Sequence, residues 1–248
     1  MDSIRIHRMP PQVTITVSED RMVLPASLQE NIDAYWMSLR GHSFHRGDIF
    51  SIKEMKETEH ELNVSLERTD FAHFIYGKHC GIPDQYKCRV ATANALIITA
   101  DDQFVMGVMN AHTANPGYVQ FVAGGIDSKD IHDNKVDIRG SLIREMKEEI
   151  GLDGHDRSLV SQIEPRYIVH WGNIALVFLV RLNLEAAAFQ ALYGEYEKSL
   201  LDKGMTPEFT SIVYVPADER SVSDFFEYDE RPKWPFLRLV LETELNRC

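Results

Sequence analysis

Three glutamates within residues 144–152 have the spacing of a divalent-cation site. In a helix, Glu145, Glu148 and Glu149 fall at i, i+3 and i+4, so their carboxylates share one face. Like charges at this spacing repel by roughly 0.2–0.5 kcal/mol per pair, so such a face is unfavourable without a cation. Hard cations such as Mg²⁺ prefer carboxylate oxygen and retain waters that phosphate oxygens can replace. The pattern therefore predicts a site that holds divalent cations against a diphosphate.

A solvated, glutamate-rich helix face is the simpler interpretation of the three acids taken alone. Their neighbours favour the site. Arg144 has Glu148 as its i+4 neighbour and can hold a carboxylate in a fixed rotamer through bidentate hydrogen bonds. Gly124 and Gly125 end a predicted strand upstream, and two glycines there let a ligand approach the backbone closely. Apolar residues that can seal the helix against a sheet are Leu142, Ile143, Met146 and Ile150.

Residues 144–152 resemble the second half of the Nudix box, G-x5-E-x7-R-E-U-x-E-E-x-G-U with U aliphatic, at all nine positions. Gly125 matches the first position only with an insertion, since it precedes Arg144 by 19 residues where the pattern has 14. Val136 stands where the family has its first glutamate. The adjacent Asp137 could substitute for that glutamate or cap the helix, and the cap is favoured.

The resemblance covers residues ~89–220 and implies an α/β (α+β) fold, a Nudix α/β/α sandwich with a mixed sheet. It implies hydrolysis, dependent on Mg²⁺ or Mn²⁺, of a nucleoside diphosphate linked to another moiety. Glu145, Glu148 and Glu149 would bind the metal, with Arg144 beside them. The partner would be a small-molecule nucleotide, and many family members form homodimers.

Glu208 is the candidate general base outside the box. It precedes the predicted strand at residues 212–215, and many Nudix proteins carry a glutamate before the equivalent strand. An exposed loop acid is the alternative. On the substrate side, Gly124 and Gly125 are candidates for binding a ligand through the backbone, and Arg89 could pair with phosphate, although packing is the simpler role for Arg89. Weaker candidates, for which packing is the simpler role, are Tyr118, Arg166, His170 and Trp171.

The elements that must position these groups follow from apolar periodicity and turn residues. Predicted strands are residues 13–17, 49–53, 61–66, 90–99, 103–109, 118–122, 167–169, 175–182 and 212–215. Predicted helices are residues 27–39, capped by Ser27, and 137–150, 185–201 and 234–245; residues 68–76 form an apolar segment that Gly77 ends, and residues 126–136 a polar loop. The pattern changes near residue 89, which divides the chain into an N-terminal α+β extension, residues 1–88, and a Nudix domain, residues 89–248.

The extension bears a second, shorter resemblance. Residues 66–71, after a helix that contains Trp36, are similar to the N-terminal region of Nudix proteins that hydrolyse UDP-glucose, which also carry a long insertion before the box helix. This resemblance favours a UDP-sugar substrate and leaves ADP-ribose-like and dinucleotide substrates open. A packed aromatic cluster is the alternative interpretation.

Composition limits the classes of binding partner and the cellular compartment that we expect. The formal charge of −12 argues against a general nucleic-acid binder, which needs a basic surface. No apolar run approaches the ~20 residues of a membrane helix, and the N-terminus lacks a signal-peptide core, so a cytoplasmic protein with no membrane partner is expected. Cys80 and Cys88, with His79, could form a zinc site, but idle thiols are the simpler interpretation.

Two other functions remain open. A non-catalytic nucleotide-binding sensor on the Nudix fold would explain the missing first glutamate and the lengthened loop. An isomerase or transferase could use the same clamp of metal and diphosphate.

Overall fold

The computed structural model describes residues 3–39 and 45–247. In chain order the strands of this part are β1 (Arg5–Arg8), β2 (Gln12–Arg21), β3 (Asp48–Glu57), β4 (Glu61–Asp70), β5 (Ala91–Ile98), β6 (Gln103–Met109), β7 (Val119–Gln120), β8 (Val122–Gly125), β9 (Ile131–His132), β10 (Lys135–Val136), β11 (Val160–His170), β12 (Ile174–Leu182) and β13 (Phe209–Pro216). The helices are α1 (Ala26–Ser38), α2 (Phe71–Cys80), α3 (Ile138–Ile150), α4 (Ala186–Asp202), α5 (Glu219–Tyr228) and α6 (Leu237–Leu245).

The larger sheet has eight strands in the order β1-β11-β12-β5-β6-β13, with β7 beside β6 and β8 beside β5. Only β5 and β12 pair in parallel among its strands. Both are nearly continuous apolar runs with almost every residue buried, as expected of strands covered on both faces. Side chains of α3 and α4 join the core on one face, and those of α5 and α6 join it on the other. The predicted mixed-sheet α/β/α sandwich is therefore confirmed.

The second sheet has the order β3-β4-β2-β10-β9 and is also mixed, with β2 and β4 parallel. In β4 the residues Leu62, Val64 and Leu66 are buried and alternate with less buried ones. The inward residues of β2 and β4 share one hydrophobic core with β5, α3 and α4. The amide of Ile52 also donates to the carbonyl of Arg89, at 2.6 Å, which ties β3 to the start of β5.

Strands from each side of the predicted boundary between residues 88 and 89 pair with strands from the other side. Strand β1, from the extension, pairs with β11 in the larger sheet. Strands β9 and β10, from the loop between Gly125 and α3, extend the second sheet through the pairing of β10 with β2. The division into extension and domain stays a prediction, and these exchanges show that the two parts share strands.

The polar loop predicted at residues 126–136 contains regular structure that was not predicted. A 3-10 turn at Ser128–Asp130 leads into the β9–β10 hairpin. The two residues that connect β9 to β10, Asp133 and Asn134, have φ of 50° and 59°. This left-handed conformation is one that Asp and Asn tolerate and that two-residue hairpin turns require.

Other boundaries also differ from the prediction. Pro25, not Ser27, precedes α1, and it makes no side-chain cap. Helix α2 runs past Gly77 and ends before Gly81, whose φ is 75°. Helix α6 begins at Leu237, and α5 and β1 were not predicted. No helix in the described residues is long and apolar enough to cross a membrane.

Candidate active site

Helix α3 carries the acidic cluster, and both of its ends are fixed as predicted. The carboxylate of Asp137 accepts a hydrogen bond from the amide of Gly140 at 2.9 Å, so Asp137 is the cap and not a displaced ligand. Gly151 has φ of 70°, the left-handed conformation that ends helices. Leu142 and Met146 are fully buried, and α3 packs against β8, so Glu145 and Glu149, which lie beside these residues on the helix, are turned toward that strand.

Glu145 lies directly over the backbone of β8. A Cβ atom added at Gly124 would sit 1.9 Å from the Glu145 carboxyl group, so this close approach requires glycine. Glu149 is only 2% exposed, and its Oε2 accepts a hydrogen bond from the amide of Ala123 at 3.2 Å. Two of the three predicted metal ligands are thus held between α3 and β8, and Gly124 makes room for one of them.

Arg144 organises the cluster through a partner that the sequence analysis missed. Its Nε and Nη2 donate to the two oxygens of Asp130 at 3.0 and 2.8 Å, a bidentate pair. Its Nη1 lies 2.8 Å from Glu145 Oε1 and 3.0 Å from Glu148 Oε2. The Asp130 side chain is 4% exposed. One guanidinium therefore connects the loop after β8 to two of the box glutamates.

Asp130 is a buried acid between Gly125 and α3, in the segment where Val136 stands in place of the first glutamate of the box pattern. It follows Gly125 by five residues, one fewer than the box spacing, so the extra residues come after this acid and not before it. Those extra residues are the β9–β10 hairpin. The sequence signal for this acid was its distance from Gly125. Counting the box spacing forward from Gly125 leads to within one residue of Asp130, whereas counting it backward from Arg144 leads to Val136.

The cluster carries more negative charge than its one guanidinium can balance. Burial, followed by the charges of Glu148 and Glu208, raises the pKa of Glu145 to about 7, despite the opposing effect of Arg144. Burial and the neighbouring carboxylates Glu208 and Glu145 raise the pKa of Glu149 well above its usual value. Burial alone would raise the pKa of Asp130, but hydrogen bonds and charge from Arg144 hold it below its usual value.

Glu208 faces the same cluster from the loop before β13. The carbonyls of Pro207 and Glu208 accept hydrogen bonds from Asn110, at the end of β6, at 3.1 and 2.8 Å. Burial and the charge of Glu148 raise the pKa of the Glu208 carboxyl. Glu208 is therefore not the exposed loop acid of the alternative interpretation, although its role as a base stays a prediction.

This donor set fits a hard divalent cation. The charges of neighbouring carboxylates help to raise the pKa of Glu145, Glu149 and Glu208, and carboxylate oxygens are what Mg²⁺ and Mn²⁺ prefer. The oxygens of the box glutamates are not gathered within 4.8 Å of one another. Arg144 draws Glu145 and Glu148 toward its guanidinium, while Glu149 turns to the amide of Ala123.

A cavity of about 620 Å³ adjoins the cluster along β8, within the size range of small-molecule sites. Ala123, Gly124 and Gly125 form part of its wall. Aromatic residues in the lining are Phe74, Phe121, Trp171 and Trp234, and basic residues are Lys78, Lys87 and Arg89. The cavity therefore offers apolar ring faces and positive charge beside the acidic helix.

The predicted phosphate ligand Arg89 lies in this wall. Its Nη2 donates to Asp84 Oδ2 at 2.7 Å, so that pair must open or share the guanidinium if Arg89 is to bind a ligand. Lys78, which was not predicted, donates to the Asn115 side chain at 2.5 Å and to the carbonyl of Ala114. Burial lowers the pKa of Lys78.

The weaker candidates lie in different places, some at the cavity and some outside it. Trp171 lines the cavity, and Tyr118 packs edge-on to Trp234 with ring centres 6.1 Å apart. Arg166 lies outside the lining and donates through Nε to Glu244 at 2.8 Å, an internal ion pair. His170 also lies outside it. In the extension, Trp36 packs edge-on to Phe71 at 6.3 Å, the packed cluster of the alternative interpretation.

No family model and no curated protein matches the chain. Similar solved structures include DR0079 from Deinococcus radiodurans (TM-score 0.42, 11% identity, 62% of this chain and 82% of that one). Others are a MutT protein from Methanosarcina mazei Go1 (TM-score 0.39, 12% identity, 64% and 94%) and the Nudix domain of NrtR from Shewanella oneidensis, complexed with ADP ribose (TM-score 0.38, 10% identity, 69% and 96%). Scores and identities this low do not by themselves assign an activity to the chain.

Proposed function

We propose that the chain is a Nudix-type diphosphatase, a pyrophosphohydrolase that cleaves a nucleoside diphosphate derivative to a nucleoside monophosphate and a phosphorylated product. The observation that carries the proposal is the nine-position box on α3, whose acids converge with Glu208 beside the cavity. Asp130 also weakens the case for a non-catalytic sensor, because a buried acid does pair with Arg144.

Each group has a proposed role. Glu145, Glu148 and Glu149 hold Mg²⁺ or Mn²⁺, which when bound neutralises diphosphate oxygens and makes water more acidic. Arg144 fixes the rotamers of Glu145 and Glu148. Glu208, or a box glutamate, accepts the proton of the attacking water, and the raised pKa of Glu208 suits that task near neutral pH.

The cavity holds the remainder of the substrate in this proposal. Lys78, Lys87 and Arg89 neutralise phosphate oxygens, with Gly124 and Gly125 allowing close approach of the backbone. Trp171 and Trp234 offer ring faces for a base. A nucleotide sugar such as a UDP-sugar, or an ADP-ribose-like compound, has the diphosphate flanked by two larger groups that this arrangement requires.

The test is a substrate panel with Mg²⁺ or Mn²⁺ that includes UDP-sugars, ADP-ribose, dinucleotides and nucleoside triphosphates. We expect turnover of at least one diphosphate-linked compound, with label from H₂¹⁸O in a phosphate product. We expect Glu148→Gln and Glu149→Gln to lower kcat by about 10²–10⁴-fold while ligand still binds. The exposed Glu195→Gln on α4 is the matched control and should retain full activity.

Other outcomes favour other functions. Binding of a nucleotide with the same trace turnover in all variants would support the sensor. Turnover without incorporation of water oxygen would support an isomerase or transferase. No turnover and no binding with any compound would count against the whole assignment.

A further inference from the structure

A second group of potential metal ligands lies between the two sheets. His7 comes from β1, His170 from the end of β11 and Glu57 from the end of β3. The ligand atoms of these three residues all lie within 4.8 Å of one another, and no other three His, Cys, Asp or Glu residues in the described chain do so. The two imidazoles are stacked, with centres 5.2 Å apart and planes 22° from parallel.

The carboxylate of Glu57 contacts both imidazoles. Its Oε1 contacts Nε2 of His7, and its Oε2 lies 3.0 Å from Nε2 of His170. The three side chains meet through these nitrogen and oxygen atoms. Each therefore brings one potential ligand atom into the same small region.

His170 provides an independent sign of a ligand. Its side chain is 10% exposed, and its Nε2 is buried yet makes no hydrogen bond of acceptable geometry despite the short distance to Glu57. A buried polar atom without a hydrogen bond costs stability, so such atoms are rare unless they serve a ligand or a function.

Two imidazole nitrogens and one carboxylate oxygen form a donor set found in zinc sites with one open position. Imidazole suits borderline cations such as Zn²⁺, whereas the all-carboxylate cluster of α3 suits Mg²⁺ and Mn²⁺. The exposed Arg5, paired across the sheet with His170, adds positive charge nearby, but water and salt screen an exposed charge. We propose that His7, Glu57 and His170 bind one Zn²⁺ ion.

The placement of the three ligands suggests what the ion would do. Glu57 belongs to the second sheet, while His7 and His170 belong to adjacent strands of the larger sheet, so one ion fastens the sheets together. Trp171, the residue after His170, lines the 620 Å³ cavity. Zinc therefore stabilises the fold and holds this part of the cavity wall, whether or not the proposed hydrolysis is correct.

The experiment measures Zn²⁺ binding to the full chain stripped of metal, by calorimetry and by elemental analysis. Zinc could also bind the acids of α3, so the parent protein carries Glu145→Gln, Glu148→Gln and Glu149→Gln. We expect one Zn²⁺ per chain in this parent and a rise in Tm when zinc is added.

His7→Gln is the main variant, because His7 is exposed and its replacement should leave the fold intact. Loss of a second-sphere partner weakens metal sites by about 10–100-fold, so loss of this ligand should weaken Zn²⁺ binding by at least about 100-fold and remove the rise in Tm. Glu57→Gln should act similarly. The exposed His60→Gln, on the turn between β3 and β4, should bind zinc as the parent does.

Imidazole NMR provides a readout that needs no substitution at the proposed ligands. Addition of Zn²⁺ to the parent should shift the ring nitrogen resonances of His7 and His170 and leave those of His60 unchanged. The proposal is overturned if the parent binds no zinc at micromolar concentration, or if His7→Gln and Glu57→Gln retain the stoichiometry and affinity of the parent.

Discussion

At the scale of single residues, the arrangement around Arg144 distinguishes a constructed site from a charged helix face. An exposed run of glutamates would be solvated, with ordinary pKa values. Here Glu149 is buried, Glu145 is nearly so, and burial raises the pKa of both. Such an arrangement lowers stability unless a cation compensates, and this cost is typical of functional sites.

Asp130 should be essential for the position of Arg144. Asp130→Asn removes the charge from a bidentate pair in which the side chains are 4% and 18% exposed. Because breaking a buried pair leaves one charge uncompensated, we expect a loss of about 3 kcal/mol in the free energy of unfolding, measured by urea denaturation at pH 7.

The control for this substitution is Asp133→Asn, at an exposed turn position with φ of 50°, which Asn adopts readily. It should leave stability unchanged. The pKa of Asp130 is lowered in the fold, so its contribution is complete above its usual pKa of about 3.9 and is lost as the pH falls through the folded value. Equal stability of the two variants would contradict the role assigned to Asp130.

Gly124 should be required for activity more than for folding. In Gly124→Ala the new Cβ would lie 1.9 Å from the carboxyl group of Glu145, the free end of a flexible side chain that can move away. The fold should therefore survive while a metal ligand is displaced. A misplacement of about 1 Å can reduce rates by ~10²-fold, which is the loss in kcat/KM that we expect.

Gly125→Ala is the comparison, because nothing lies within 4 Å of a Cβ at that position. Its affinity for Mg²⁺ or Mn²⁺, measured by titration of activity against metal, should match that of the unmodified chain. Identical metal affinities in the Gly124 and Gly125 variants would show that the contact with Glu145 does not matter.

At the scale of elements, the ends of α3 determine where its acids lie. Asp137 starts the helix, and Gly151 stops it two residues after Glu149. The hydroxyl of Tyr196, on α4, also donates to the carbonyl of Glu148 at 2.5 Å. The last turn is therefore held by the stop signal and by a neighbouring helix.

Gly151→Ala should destabilise the protein by roughly 2–4 kcal/mol. The left-handed φ of 70° costs about 1–2 kcal/mol for a residue with a Cβ, and that Cβ would also lie 2.4 Å from the ring of Tyr196. Gly204→Ala separates the two effects, since its φ is 71° and nothing lies within 4 Å of a Cβ there. Thermal unfolding should show the larger loss for Gly151, and equal losses would exclude the steric contribution.

At the scale of the whole molecule, two features could not be predicted from the order of residues along the chain. The net charge is −12, yet Lys78, Lys87 and Arg89 meet at one cavity and can reverse the local field. The two sheets also exchange strands, because β1 joins the larger sheet and the β9–β10 hairpin joins the smaller one. Their inward residues form one hydrophobic core.

A fragment of residues 89–248 should not fold cooperatively alone. It would lack β1 and the apolar residues of β2 and β4 that share one hydrophobic core with β5, α3 and α4, so part of that core would be exposed. Circular dichroism and thermal unfolding should show no sharp transition for the fragment, whereas the full chain unfolds in one. A native-like transition in the fragment would instead establish residues 89–248 as an independent domain.

Local signals in the sequence determined much of this protein. The helix cap, the left-handed glycine stop and the apolar face of α3 depend on neighbouring residues, and the continuous apolar runs of β5 and β12 identify buried strands. The three acids on one helical face follow from these patterns, whereas the mixed-sheet sandwich was expected from the resemblance of residues 144–152 to the Nudix box. Such features are predictable because their causes lie within a few residues or one helical turn.

Only the tertiary structure decided how distant segments meet. It paired Asp130 with Arg144 across an inserted hairpin, placed Gly124 under Glu145, and brought Lys78 to the same cavity as Trp234. It also gathered His7, Glu57 and His170 from three strands. These contacts depend on strand pairing and shared burial over long separations, and apart from the spacing of Asp130 from Gly125 no local pattern in one sequence provides a signal for them.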